Sequence, residues 1–122
     1  MRGLPPIILD IVRKNNGKTL WSIDGRAIPH WKNLPCQDAF YINDLSDSIV
    51  VAAVCDGLGS CKKSEIGSSI AAKILVEYCS EHYKSCLSFD EVKKIMNNSF
   101  VYAYKNIIEK AENENEKLMS MT

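Results

Sequence analysis

The sequence predicts a single α+β domain with strands in its first half and helices in its second. The apolar run at residues 49–54 is typical of a strand, and residues 37–42, QDAFYI, fit a second strand entered through Asp38. From Ser64 onward, apolar residues recur at the spacing of an amphipathic helix. The 122 residues, 46% hydrophobic and 25% charged, suffice for one domain with a modest core. We therefore expect antiparallel strands packed against two long helices.

The chain before this region is predicted to begin with a helix. Residues 5–16 fit a short amphipathic helix, with Pro6 tolerated in its first turn and Asn15 to Gly17 ending it. We therefore divide the chain into an N-terminal extension, residues 1–20, and a domain, residues 21–122. Residues 21–28 alternate loosely around an Asp-Gly pair, which fits a bent strand or a tight hairpin. The prolines at 29 and 35 bracket a loop.

Two acidic residues are predicted to meet at one edge of the sheet. The strands at 37–42 and 49–54 are separated by about six polar residues, which favours an antiparallel pair. Asp38 at the start of one strand and Asp56 just past the other then lie at the same edge. Gly57 follows Asp56, and carboxylates on a glycine turn suit hard cations such as Mg²⁺ and Mn²⁺. An Asp-Gly pair after a strand is also a common turn.

The second half is predicted to form two helices. Ser64 is placed to begin the first, and Ser88 with Glu91 forms a capping-box pattern for the second. The apolar stripe of the first helix comprises Ile66, Ile70, Ile74 and Tyr78, beside Ala71, Leu75 and Cys79. The predicted inner face of the second comprises Val92, Ile95, Met96, Phe100, Ala103, Tyr104, Ile107 and Ile108.

Composition argues against several classes of partner. Fifteen basic and fifteen acidic residues cancel, so no net field favours nucleic acid or an anionic membrane. No apolar stretch approaches the roughly 18 residues of a spanning helix, and no secretory signal pattern is visible. Five cysteines without a CxxC pair favour free thiols over disulfides or a zinc site. We expect a cytoplasmic protein.

The motifs PCQDAFYI, VCDGLGS and SEIGSSIAA, taken in order, resemble the N-terminal half of the type 2C metal-dependent protein phosphatases, in particular their bacterial branch. The resemblance runs from about residue 21 to the end. It implies part of a four-layer αββα sandwich, with two Mg²⁺ or Mn²⁺ ions at the sheet edge and a metal-bridging water that attacks phosphoserine or phosphothreonine in a protein substrate. By motif position, Asp38 and Asp56 are the catalytic metal ligands, and Gly57 offers its carbonyl to one ion.

Three features depart from the family pattern. Gln37 stands where many relatives have Glu. The usual phosphate-binding arginine is missing, so His30 or Lys32 is the candidate for contacting substrate phosphate, although a loop His or Lys is more often a solvated side chain. Relatives are about twice as long and carry further aspartate ligands in later strands. The chain is therefore either part of a longer protein or a short form completed by another chain.

Three functions follow from these observations. The first is a metal-dependent serine/threonine phosphatase, present as an N-terminal portion that is poorly active alone and prone to self-association through uncovered apolar faces. The alternative is a non-catalytic binding or regulatory module that keeps the fold. A remoter option is a nucleotide-phosphate site in the loop from Gly57 to Ser64, which lacks P-loop spacing.

Overall fold

The computed structural model describes residues 7–28, 36–58 and 61–121, and it shows the predicted α+β architecture. Strands come first and helices follow, as the sequence indicates. The elements are strands β1 (Ile7–Asn15), β2 (Lys18–Ala27), β3 (Ala39–Ser46) and β4 (Ile49–Cys55), helices α1 (Ser64–His82) and α2 (Phe89–Asn113), and a short 3₁₀ helix (Leu118–Met121). Within these ranges, no helix is long and apolar enough to cross a membrane.

The N-terminal segment is a strand, and the helix predicted over residues 5–16 is wrong. β1 pairs antiparallel with β2, and Asn16 and Gly17 have φ values of 53° and 78°. Two successive left-handed residues form the hairpin turn whose twist matches that of the flanking strands, and Asn-Gly is its preferred sequence. The residues interpreted as a helix end are therefore a hairpin turn. The pairing of β1 with β2 also joins the predicted N-terminal extension, residues 1–20, to the predicted domain, residues 21–122.

β2 runs without a break through the Asp-Gly pair at 24 and 25. Leu9 pairs with Gly25 and Asp10 with Asp24, so the hairpin considered for residues 21–28 is wrong and the strand alternative is correct. Gly25 has a packing reason to be glycine. A Cβ there would lie 2.6 Å from Cε2 of Phe40, so the missing side chain lets the ring approach the β2 backbone.

β3 and β4 form the predicted antiparallel pair, but their connection is shorter than expected. Only Asp47 and Ser48 form the turn, and Asn43 to Ser46 extend β3. The polar residues stay in the strand because other elements satisfy them. Asn43 Nδ2 donates to Ser80 Oγ of α1 at 2.9 Å, and Arg13 of β1 pairs with Asp44 at 3.1 Å.

The elements stack in three layers that match part of an αββα sandwich. α1 packs on one face of the β3–β4 sheet, and α2 packs on α1. Phe40 of β3, on the opposite face, contacts β2. This arrangement covers β3 more fully than β4, since Val54 is 82% exposed.

The most buried row of α1 is not the predicted isoleucine row. Its innermost positions are Ser64, Ser68, Ala72 and Val76, while Ile66, Ile70 and Ile74 are half-buried. Small side chains allow the helix axis to approach the sheet closely. The bulkier isoleucine row then lies to the side of the contact with the sheet. Hydrogen bonds from Ser68 and with Ser80 to the sheet segment confirm which side faces it.

α2 begins with the predicted capping box. Glu91 N donates to Ser88 Oγ, and Ser88 N donates to Glu91 Oε1, both at 3.2 Å. Its buried side differs in part from the prediction, because Ser99, Ala103 and Ala111 are the buried residues. The predicted inner residues Met96, Phe100 and Tyr104 are instead exposed.

Candidate metal centre

Asp38 and Asp56 lie side by side at the open edge of the β3–β4 sheet. Ala39, the first residue of β3, pairs with Cys55, the last residue of β4. Asp38 precedes one partner and Asp56 follows the other, so the two residues face each other where the ladder ends. The predicted convergence of the two acids is confirmed. Both side chains are exposed, which leaves the edge open to solvent.

The two carboxyl groups interact directly. A hydrogen bond to Asp56 is the largest cause that raises the pKa of Asp38, followed by partial burial and by the negative charge of Asp56. The backbone amide of Gly57 acts in the opposite direction and lowers this pKa. Across the described residues, no lysine, arginine or histidine forms an ion pair with either acid. The edge therefore places two carboxyl groups close together with no basic side chain of the described residues paired to either.

A backbone hydrogen bond ties the two acidic positions together. Gly57 N donates to the carbonyl of Gln37 at 3.0 Å, which joins the residue after Asp56 to the residue before Asp38. Gly57 is buried, and a Cβ there would collide with the Gln37 carbonyl oxygen and lie 3.0 Å from the Cβ of Ser64. Only glycine fits this position without moving one of the two strand ends.

The sequence did not predict that a second hydrogen-bond donor contacts the Gln37 carbonyl. Ser68 of α1 donates its hydroxyl to Gln37 O at 2.6 Å and is 5% exposed. The residue lies inside the SEIGSSIAA motif, but no pattern in the sequence shows which of its serines contacts the sheet. Ser64, expected to begin the helix, does so without capping it, and its buried Oγ has no hydrogen-bond partner within the described ranges.

The other predicted phosphate contacts are outside the described residues. His30 and Lys32 belong to the stretch from 29 to 35, and the loop considered for nucleotide phosphate includes positions 59 and 60, so these assignments remain predictions. Cys36, at the edge of the described part, places Sγ 3.3 Å from the carbonyl of Asp38 and 3.5 Å from that of Ile28.

Comparison with known protein families decides the assignment. Residues 30–121, well over half of the chain, match Protein phosphatase 2C. The chain belongs to the protein phosphatase 2C family. No curated protein and no solved structure matches it. The matched region contains Asp38, Asp56 and Ser68, and membership supports a phosphatase-type function.

The protein phosphatase 2C family is generally metal-dependent, and the donor set here fits one hard cation. Two adjacent carboxylates supply the oxygen ligands that Mg²⁺ and Mn²⁺ prefer, and their charge has no partner in the described part of the chain. The same ranges contain no group of three or more His, Cys, Asp or Glu residues able to hold a metal. Asp38 and Asp56 are therefore the two candidate oxygen donors that the described residues bring together at this edge.

Proposed function

We propose that this chain is the N-terminal portion of a Mg²⁺- or Mn²⁺-dependent phosphatase that hydrolyses phosphoserine and phosphothreonine in proteins. The observation that carries the proposal is the placement of Asp38 and Asp56 opposite each other at an open sheet edge, within the region that matches the family. Neighbouring carboxylates without a basic partner repel one another, and a divalent cation between them relieves that repulsion.

Each residue has a defined task in this proposal. Asp38 and Asp56 hold the metal, and Gly57 adds its backbone carbonyl, which keeps the carbonyl role predicted from the motif. When bound, the metal supplies a water of lowered pKa and a clamp for phosphoryl oxygens. The protein contributes the fixed spacing of the two acids, since the Gly57 amide and the Gln37 carbonyl connect the strand ends. The exposed edge admits a residue on the surface of another protein.

The substrate side of the site is proposed from charge. A phosphomonoester is anionic, so a cation held by Asp38 and Asp56 attracts it, and a basic side chain nearby strengthens binding. His30 and Lys32 precede the first acid in sequence, and we assign them the phosphate contact. The balanced charge of the whole chain gives no comparable attraction for nucleic acid or for a membrane surface.

The activity of the 122-residue chain by itself should be low. Two carboxylates balance only half of the charge of two divalent ions, and an ion that keeps most of its waters binds weakly. The exposed side chains of Val54 and Phe100 favour association with a second chain, either another copy or a completing partner. All five cysteines are free, which supports the proposed cytoplasmic location.

Calorimetric titration with Mn²⁺ tests the proposal. The wild-type chain should bind in the micromolar to millimolar range, and Asp56→Asn should abolish binding. Asp47→Asn, a carboxylate at the opposite end of the same hairpin, should bind like the wild type. Hydrolysis of p-nitrophenyl phosphate then reports whether bound metal supports turnover, and activity that survives Asp56→Asn would refute the assigned role. A chain that folds normally but binds no Mn²⁺ is the non-catalytic module.

A further inference from the structure

We propose that Ser68 is a positioning residue that sets the spacing of Asp38 and Asp56 through the carbonyl of Gln37. The inference deepens the proposed function, because it concerns the same pair of acids. The Gln37 carbonyl accepts two hydrogen bonds, from Gly57 N at 3.0 Å and from Ser68 Oγ at 2.6 Å. It is thereby held by the segment that follows β4 on one side and by helix α1 on the other.

The position of this carbonyl controls the position of Asp38. The Gln37 carbonyl belongs to the peptide plane that also contains the nitrogen and Cα of Asp38, so fixing its oxygen restricts the orientation of the backbone at Asp38. Gly57 is bonded directly to Asp56, so its amide transmits the same restraint to the second acid. Two donors from two segments therefore converge on one oxygen. Asp38 directly follows the residue that carries this oxygen, and Asp56 directly precedes Gly57, which supplies one of the donors.

The Ser68 bond is a tertiary contact rather than ordinary helix chemistry. A serine inside a helix commonly donates to a carbonyl three or four residues earlier, and Glu65 O lies 3.3 Å from Ser68 Oγ. The Gln37 oxygen is closer by several tenths of an ångström, so the single hydroxyl proton is directed to the sheet edge. Because Ser68 is 5% exposed, water does not replace this donor readily.

The chain also supplies a matched control in Ser64. It lies one helical turn before Ser68 on the same row, is completely buried and makes no hydrogen bond through Oγ within the described residues. Replacing either serine by alanine removes one buried hydroxyl from α1. Only Ser68→Ala removes a bond to the Gln37 carbonyl, so the comparison separates positioning from a general loss of packing.

Two measurements on the full 122-residue chain test the inference. In Ser68→Ala the dissociation constant for Mn²⁺ should rise about 10-fold or more, the usual effect of losing a partner that orients a metal ligand. Exchange of the Gly57 amide, followed by NMR, should accelerate about 2- to 10-fold, as expected when one hydrogen bond is lost. Ser64→Ala should match the wild type in both, and Ser68→Thr, which keeps the hydroxyl, should restore them.

Each result has a defined meaning. A Ser68→Ala chain that binds Mn²⁺ as tightly as the wild type overturns the inference even when its thermal stability falls, because the residue is then only structural. A wild-type chain that binds no Mn²⁺ refutes the proposed function instead. The inference is then decided by Gly57 exchange, and equal rates in wild type and Ser68→Ala overturn it.

Discussion

Asp38 and Asp56 lie opposite each other just past the last pair of the β3–β4 ladder, and the interaction between their carboxyl groups raises the pKa of Asp38. Strand register creates this contact, since the pairing of Ala39 with Cys55 leaves the next residue of each strand with no further pair in the described ladder. The contact is unfavourable for two ionised groups and becomes favourable when a proton or a cation lies between them. The stability of the domain should therefore depend on pH and on the concentration of a divalent cation.

Metal-free Asp38→Asn should be more stable than the wild type at neutral pH. The raised pKa of Asp38 means that the folded chain holds this proton more tightly than the unfolded chain does. The free energy of unfolding then falls as pH rises from the ordinary aspartate pKa through the raised value. Asparagine removes this titration, so the variant should gain less than about 1 kcal/mol above that range, a modest effect because the group is exposed.

Urea unfolding in EDTA across this pH range measures the effect. Asp24→Asn, which removes an exposed carboxylate from β2, serves as the control. Addition of Mn²⁺ should stabilise the wild type and the Asp24 variant but not Asp38→Asn. Lower stability of Asp38→Asn than of the wild type in EDTA at neutral pH would contradict the prediction.

Gly57→Ala should destabilise the domain by about 3 kcal/mol, at the upper end of overpacking effects. The new methyl group would meet the Gln37 carbonyl and the Ser64 backbone, neither of which can move without shifting a strand end or the start of α1. Gly25→Ala is the informative comparison. There the methyl meets the ring of Phe40, a side chain that can rotate away, so we expect a smaller loss. Denaturant midpoints measure both, and equal losses would argue against a rigid junction at Gln37.

The sequence predicted those features that depend on local chemistry or on simple topology. The capping box of α2 is a local hydrogen-bond pattern, and the shared edge of Asp38 and Asp56 follows from any antiparallel pair with a short connection. The prediction of a helix over residues 5–16 is wrong because the apolar residues there fit a helix and a strand equally well. The pairing with β2 makes this segment a strand. An Asn-Gly hairpin signal was present at positions 16 and 17.

The buried row of α1 and the role of Ser68 depend on tertiary contacts that a single sequence does not display. The isoleucine row of α1 has the larger apolar side chains, yet the row of Ser64 and Ala72 lies deepest because small residues permit close approach to the sheet. The role of Ser68 is invisible for the same reason, since its acceptor is a backbone carbonyl 31 positions away.

Gly67→Ala should detach the C-terminal 3₁₀ helix while leaving α1 intact. A Cβ at position 67 would overlap the backbone carbonyl of Met121, which is 2% exposed. Alanine also favours the α-helix by about 1 kcal/mol relative to glycine. We therefore expect the 3₁₀ helix to move away from α1 before α1 itself unwinds. Lys63 N donates to Ser120 O at 2.6 Å, and exchange of this amide should accelerate in the variant. Ser69→Ala on the exposed side of α1 should leave it unchanged, and slow exchange at Lys63 in Gly67→Ala would refute detachment.

Val54→Lys should reduce self-association of the chain. Val54 lies on the face of β4 opposite α1, is 82% exposed, and belongs to a strand whose seven residues carry no charge. Uncharged edge strands recruit other strands, and lysine on such a strand opposes that pairing. Sedimentation velocity should show concentration-dependent association for the wild type and a shift toward monomer for the variant. Val12→Lys, at an exposed valine of β1, should associate like the wild type. A wild type that stays monomeric at high concentration, or equal effects of the two lysines, would exclude β4 as the contact.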